Sequence, residues 1–133
     1  MRVVVFGGGY AGLPLVRQLE QTLPATDEIV LVEQSATHTV RHEIHRVIRR
    51  PSMAEEITIP FEELLDRATH RRQRVAGIDT DAQVATLANG ETIEYDVGAI
   101  CLGVETEFYD LPGVREHATP LRTVAHAERI HTD

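Results

Sequence analysis

The sequence predicts an α/β fold in which a parallel sheet carries an inserted antiparallel meander. Short, continuously apolar runs alternate with a stretch of helical periodicity in the first third of the chain, and such runs are typical of strands buried on both faces of a parallel sheet. Between residues 74 and 95 the pattern changes to short alternating segments separated by turn residues. A fold built only of alternating strands and helices does not contain such segments. The meander therefore distinguishes the predicted fold from a plain strand–helix repeat.

Residues 2–33 predict a βαβ unit. The run Arg2–Phe6 holds three valines and predicts a buried strand. Glycines interrupt it, and a helix with four apolar residues at helical spacing follows: Leu13, Val16, Leu19 and Leu23. Pro24 ends this helix, and the segment Glu28–Glu33 predicts the second strand.

The rest of the chain predicts shorter elements. A polar segment contains a possible helix through Ile44, Val47 and Ile48, and a second helix begins at Pro60 and continues to Ala68. The meander comprises residues 74–79, 83–87 and 92–95, and a buried apolar strand over residues 97–102 follows it. A last helical pattern occupies residues 121–133.

Composition excludes several classes of protein. A formal net charge of -8 argues against a nucleic-acid partner, because phosphates would be repelled. Cys101 is the single cysteine, so neither an internal disulfide nor a Cys-x-x-Cys pair exists. No apolar run approaches the roughly 18 residues needed to cross a bilayer, and no signal peptide is evident, which predicts a cytoplasmic domain. All 13 basic residues are arginine, and this acidic, lysine-free composition resembles proteins of extreme halophiles.

The residues Gly7-Gly8-Gly9-Tyr10-Ala11-Gly12 match the pattern G-x-G-x-x-G. In a Rossmann-like sheet the first glycine allows a tight turn, the second lets the backbone approach a pyrophosphate, and the third lets the helix pack closely against the strand. The anion would meet free N–H groups at the positive end of the helix. The motif follows a predicted strand and precedes a predicted helix, which favours an adenine dinucleotide as the ligand.

Glu33 ends the second predicted strand, 21 residues after Gly12. An acid at about this distance is expected to bind the 2′-hydroxyl of the adenosine ribose. A carboxylate there would repel a 2′-phosphate, so NADP is disfavoured. The glycine motif and Glu33 together do not choose between FAD and NAD.

The chain resembles the FAD domain of the glutathione-reductase-like pyridine nucleotide-disulfide oxidoreductases. The resemblance rests on RVVVFGGGYAGL, the acid after the second strand, the meander, and Tyr95-Asp96 before a strand that ends at Gly103. Cys101-Leu102-Gly103 and Leu111-Pro112-Gly113 resemble the type II NADH dehydrogenase branch most closely. The resemblance implies an FAD-dependent oxidoreductase that takes a hydride from NADH and passes electrons to a quinone-like acceptor.

The resemblance also implies roles for particular residues. The glycine turn would hold the pyrophosphate, Glu33 and the adjacent Gln34 would lie at the adenosine ribose, and Val75 would offer its backbone to the adenine. Cys101, Leu102 and Gly103 would line the cofactor. No catalytic side chain is assigned. Residues 1–120 would form the first segment of the FAD-binding domain, incomplete at its carboxyl end. Residues 121–133 would lead toward an absent NAD-binding domain, and the full protein would be a homodimer or lie on the cytoplasmic membrane face.

Two alternatives remain open at this point. A sulfide–quinone type reductase needs cysteines beyond Cys101, which the absent half of the protein would have to supply. A non-enzymatic NAD-sensing Rossmann module would lack the meander. The spacing of His38, His42 and His45 places them on one face if their segment is helical, but no clear carboxylate or cysteine accompanies them, so no metal site is predicted. Glu105 and Glu107 are interpreted as loop charges.

Overall fold

The computed structural model describes residues 1–133. A 3-10 turn at Arg41–Glu43 precedes the second helix. The strands and helices follow one another in this order: β1 (Arg2–Phe6), α1 (Gly12–Thr22), β2 (Glu28–Val32), β3 (Thr37–Thr39), α2 (Ile44–Arg49), α3 (Met53–Glu56), β4 (Thr58–Pro60), α4 (Phe61–Leu64), β5 (Thr69–Arg71), β6 (Val75–Asp79), β7 (Val84–Leu87), β8 (Thr92–Glu94), β9 (Val97–Ile100), α5 (Val114–His117) and α6 (Val124–Thr132).

The chain forms two compact units. The first comprises Met1–His38 and Pro60–Gly103, and the second comprises Thr39–Ile59 and Val104–Asp133. The short strands β3 and β4, which lie where the chain passes from one unit to the other, form a two-stranded sheet. All residues predicted to bind a cofactor belong to the first unit.

The first unit is built on a four-stranded parallel sheet with the order β5-β2-β1-β9. The central strand β1 pairs with β2 from Arg2 opposite Glu28 to Phe6 opposite Val32. Its apolar side chains are buried on both faces, as the continuous apolar run predicted. The predicted βαβ unit is therefore confirmed.

Each face of the parallel sheet is covered by a different element. On one face Val4 and Phe6 of β1 pack with Ala85 and Leu87 of the meander. On the other face Val5 packs with the apolar side of α1 and with Phe61, as the alternation of side chains along a strand requires. The sheet thus holds β1 rigidly between two apolar layers, and the turn that follows it starts from a fixed position.

The antiparallel meander is present as predicted, with the strand order β6-β7-β8. Gly90 adopts a φ of 88° in the turn between β7 and β8, where Asn89-Gly90 predicted a turn. Edge-to-face packing of Phe6 and Tyr95, with ring centroids 5.6 Å apart, ties the end of the meander to β1.

The strand β9 corrects one prediction. The apolar run 97–102 indicated a buried strand, yet β9 lies at the edge of the sheet and Val97 and Ile100 are 49% and 61% exposed. The apolar composition is that of an internal strand, but within this chain only β1 pairs with it. Its side chains are therefore half-covered.

The second unit is helical. Ile44 and Val47 of α2, Met53 and Ile57 of the following segment, and Ala127 of α6 form its core. The helix predicted through residues 44–48 is confirmed as α2, and the last helical pattern is confirmed as α6, whose Thr123 hydroxyl caps its first turn by accepting from the His126 N–H.

Several shorter elements differ from the sequence prediction, and β3, α3, β4 and α5 were not predicted. The helix that begins after Pro60 ends at Leu64 instead of continuing to Ala68, because the chain turns to enter β5. The strand β5 was not predicted, since its residues Thr69-His70-Arg71 are polar. None of the helices combines the length and the hydropathy that a bilayer crossing requires.

Candidate functional site

Several backbone groups of the glycines in the turn between β1 and α1 are held by hydrogen bonds. The Gly7 N–H donates to the Val32 carbonyl at 2.8 Å, and the Gly9 carbonyl accepts from the Leu13 N–H at 3.0 Å. Gly7 adopts a φ of 104°, a conformation that side chains rarely tolerate. The Gly9 N–H has no protein partner, and a Cβ placed on Gly9 would meet nothing within 4 Å. The turn therefore presents a free donor beside open space.

Two further glycines are required for close packing. A Cβ on Gly12 would lie 1.7 Å from the Gly7 carbonyl oxygen, and a Cβ on Gly8 would lie 2.4 Å from Cζ of Phe61. Both distances are far below van der Waals contact, so neither position accepts a side chain without rearrangement. Gly12 thus brings the helix against the turn, as the motif predicts.

Glu33 lies directly beside the glycine turn. One carboxylate oxygen accepts from the Gly8 N–H at 2.8 Å, and the other accepts from the Ser35 N–H at 2.9 Å. These two bonds fix the carboxylate at the end of β2, the position where the sequence predicted it. Each carboxylate oxygen has a second lone pair, so the group keeps acceptor capacity for a ligand hydroxyl.

A row of four contacting rings begins in the turn at Tyr10, and no pattern in the sequence predicted it. Its ring centroids are 5.5 Å apart for Tyr10 and His38, 6.2 Å for His38 and Phe61, and 4.9 Å for Phe61 and His70. His38 is the one buried polar side chain of the chain, and its Nδ1 lies 2.9 Å from the Gly8 carbonyl oxygen. The Nε2 of His70 lies 3.1 Å from the Glu33 carbonyl oxygen.

The segment after β9 lies against the same turn. The Cys101 N–H donates to the Phe6 carbonyl at 2.7 Å, and a Cβ on Gly7 would lie 2.3 Å from the Cys101 carbonyl oxygen. Leu102 is 54% exposed, and Gly103 has a φ of 80°. The structure therefore brings Cys101 and Leu102 to the glycine turn.

The remaining predicted residues lie farther from these contacts. Gln34 is exposed and makes no hydrogen bond, while Val75 is half-buried in β6 against the apolar layer of the meander. The three histidines do not share a helical face, since His38 lies in a strand, His42 in the 3-10 turn and His45 in α2. No group of three His, Cys, Asp or Glu side chains is placed to hold a metal ion.

The chain matches a known family of proteins along its length. A profile of the pyridine nucleotide-disulphide oxidoreductase family matches residues 1–133. A type II NADH:quinone oxidoreductase of Staphylococcus aureus is 27% identical over 132 residues, a match that covers 97% of this chain and 33% of the relative. The chain therefore spans about a third of the length of the curated relatives it matches.

Solved structures show the same fold. The sulfide:quinone oxidoreductase of Aquifex aeolicus superposes with a TM-score of 0.88 at 24% identity, covering 98% of this chain and 30% of that one. The NDH2 of Plasmodium falciparum, solved in complex with NADH, superposes with a TM-score of 0.84 at 12% identity, covering 98% and 28%. At these identities the likeness establishes the fold.

Proposed function

Because the chain belongs to the pyridine nucleotide-disulphide oxidoreductase family, we propose that it is the FAD-binding segment of an NADH:quinone-type oxidoreductase. The observation that carries the proposal is the turn at Gly7–Gly12, with its free Gly9 N–H, its open space and the fixed Glu33 carboxylate beside it. A backbone donor for the pyrophosphate and a carboxylate acceptor for the ribose hydroxyl are what a dinucleotide requires.

The residues present fit the cofactor. Gly9 would let the pyrophosphate approach the backbone, and the first turn of α1 would supply further N–H groups and the positive end of its dipole. Glu33 would accept a hydrogen bond from the adenosine ribose, and its negative charge would disfavour a 2′-phosphate. Cys101, Leu102 and Gly103 would line the cofactor beside the turn, Gln34 would lie near the ribose, and the backbone of Val75 would face the adenine.

The redox chemistry would come from the bound flavin, which accepts a hydride and returns its electrons to a second substrate. This chain would contribute binding and orientation, and no side chain of it is assigned a chemical step. The type II NADH:quinone oxidoreductase relatives support NADH and a quinone as the substrates of the complete protein. A quinone resides in the bilayer whereas NADH is dissolved in water, so the complete protein would lie peripherally at the cytoplasmic face of a membrane.

A sulfide–quinone type reductase is the second candidate. The Aquifex aeolicus enzyme shares the fold of this chain, and a function of that type would require cysteines beyond Cys101 from the part of the protein outside this chain. The antiparallel meander argues against an NAD-sensing regulatory module built of plain strand–helix repeats.

Calorimetric titration of the chain with FAD, NADH and NADPH, with an absorbance spectrum of the protein as purified, tests the proposal. We expect FAD to bind, NADH to bind at least about tenfold more weakly, and NADPH to bind most weakly because of Glu33. Binding of NADH without FAD would contradict the flavin assignment and favour a regulatory module. NADPH binding equal to that of NADH would contradict the role of Glu33.

A further inference from the structure

We infer that His38 is a positioning residue that sets the orientation of the Gly8–Gly9 peptide and thereby aims the Gly9 N–H at the pyrophosphate. The inference rests on the proposed function and deepens it. Nothing in the glycine pattern or in the acid after β2 points to this histidine. It is carried by a buried contact between residues 30 positions apart, the Nδ1 of His38 and the carbonyl oxygen of Gly8, at 2.9 Å.

The contact fixes which imidazole nitrogen carries a proton. A carbonyl oxygen only accepts hydrogen bonds, so Nδ1 must carry a proton and donate it. In the neutral ring the Nε2 is then the unprotonated nitrogen. This assignment follows from the identity of the partner.

The peptide group transmits the contact to the anion-binding atom. The carbonyl of Gly8 and the N–H of Gly9 belong to the same planar trans peptide, so they point in opposite directions. Holding the carbonyl toward His38 therefore turns the Gly9 N–H away from it. That N–H has no protein partner, and it lies where the backbone is open.

A Gly-Gly peptide needs such a restraint. Neither residue has a Cβ, so rotation of the peptide between them meets little steric resistance. In the rotated arrangement the Gly8 carbonyl, with its partial negative charge, would face the phosphates. Glu33 does not prevent this rotation, because its carboxylate holds the N–H of Gly8, which belongs to the preceding peptide.

The side chain of His38 is itself held in place. Its ring lies edge-to-face between Tyr10 and Phe61, and it is 9% exposed. Phe61 also contacts the position where Gly8 would bear a Cβ. A buried, clamped donor loses little entropy in making its hydrogen bond, so it is suited to position a backbone group.

Three variants test the inference. His38→Leu removes the donor, whereas His38→Asn restores one, because the asparagine Nδ2 occupies nearly the position of the imidazole Nδ1. His45→Leu is the matched control, since the Nδ1 of His45 also lies 2.9 Å from a backbone carbonyl, that of His42, but in an exposed position of the other unit.

We expect His38→Leu to weaken FAD binding by about tenfold, the usual effect of losing one such hydrogen bond, and His38→Asn to recover most of it. Binding of adenosine, which has no phosphate, should be the same in all variants. In the parent chain the ¹⁵N shifts of His38 should show a protonated Nδ1, and the Gly9 amide signal should move in His38→Leu but not in His45→Leu.

The outcomes separate this inference from the proposed function. Failure of the parent chain to bind FAD overturns the proposed function and the phosphate role of His38 with it. Equal FAD binding by the parent and His38→Leu overturns the role of His38 alone, as does an Nε2-protonated His38 in the parent. Equal loss in His38→Leu and His38→Asn also overturns it, because the loss would then follow from packing and not from the donor.

Discussion

The two ends of the parallel sheet use their polar groups in opposite ways. At the amino end the charges satisfy one another: the N-terminal ammonium pairs with Asp27 at 3.1 Å, and Arg2 pairs with Glu28 at 2.7 Å. The hydrogen bond that the Arg2 guanidinium donates to the Glu28 carboxylate raises the pKa of Arg2. The backbone N–H of Arg2 is in turn bound by the carboxylate of Asp96. This end holds a polar cavity of about 540 Å³, and the Met1, Arg2 and Glu28 groups that line it are engaged in these ion pairs.

At the carboxyl end the side chains hold the backbone and leave a donor free. Glu33 and His38 together fix the peptide groups on both sides of Gly8, and the Gly9 N–H has no partner. The comparison teaches that the volume of a cavity does not identify the binding end of this sheet. The end that we propose as the binding end is the one where Glu33 and His38 orient a backbone donor that has no protein partner.

The largest effect is expected from Gly12→Ala. The new Cβ would lie 1.7 Å from the carbonyl oxygen of Gly7, and both atoms belong to tightly packed backbone. We expect a loss of about 3 kcal/mol of unfolding free energy or failure to fold, because the helix must move away from the turn. Urea denaturation measures it, and a variant as stable as the parent would show that α1 does not pack as described.

One pair of variants compares the central strand β1 with the edge strand β9. Val4 is fully buried in β1, whereas Val97 in β9 is 49% exposed. Val4→Ala should cost about 2 kcal/mol and Val97→Ala less than about 0.5 kcal/mol, since only the first leaves a cavity. Equal losses in thermal or urea denaturation would mean that another part of the protein covers β9 as fully as β1 is covered.

Another pair of variants compares the two ends of β2. Glu33→Gln should weaken FAD binding by about tenfold, because a neutral amide oxygen holds the Gly8 and Ser35 N–H groups poorly. Glu28→Gln lies at the other end of the same strand and removes an exposed ion pair. It should change FAD affinity less than about twofold. Calorimetric titration of both variants with FAD measures the two affinities. An equal loss of affinity in both would mean that FAD does not bind beside Glu33.

Local patterns were sufficient to predict much of the first unit. The strand β1, the helix α1 and the acid at the end of β2 each follow from their own residues, since burial on both faces and helical packing leave periodic signals. The glycine spacing likewise located the turn. The meander was predictable for the same reason, because its strands alternate and its turns contain Asp, Asn and Gly.

What depends on distant neighbours was not predictable. The exposure of β9 depends on which strands lie beside it, and its apolar composition alone indicated burial. The polar residues of β5 form a strand only because β2 offers an edge to pair with. The role of His38 depends on a contact across 30 residues, and a lone histidine in a polar segment leaves no periodic signal.

The most direct measurement of the central claim is a calorimetric FAD titration of Gly9→Ala beside the parent chain. A Cβ on Gly9 touches nothing in the protein, and its φ is not positive, so the variant should unfold at the parent's urea concentration. Its FAD affinity should fall by at least about tenfold, because the methyl group occupies the space that the pyrophosphate needs. An unchanged FAD affinity in a fully folded Gly9→Ala would contradict the claim that this turn holds the cofactor.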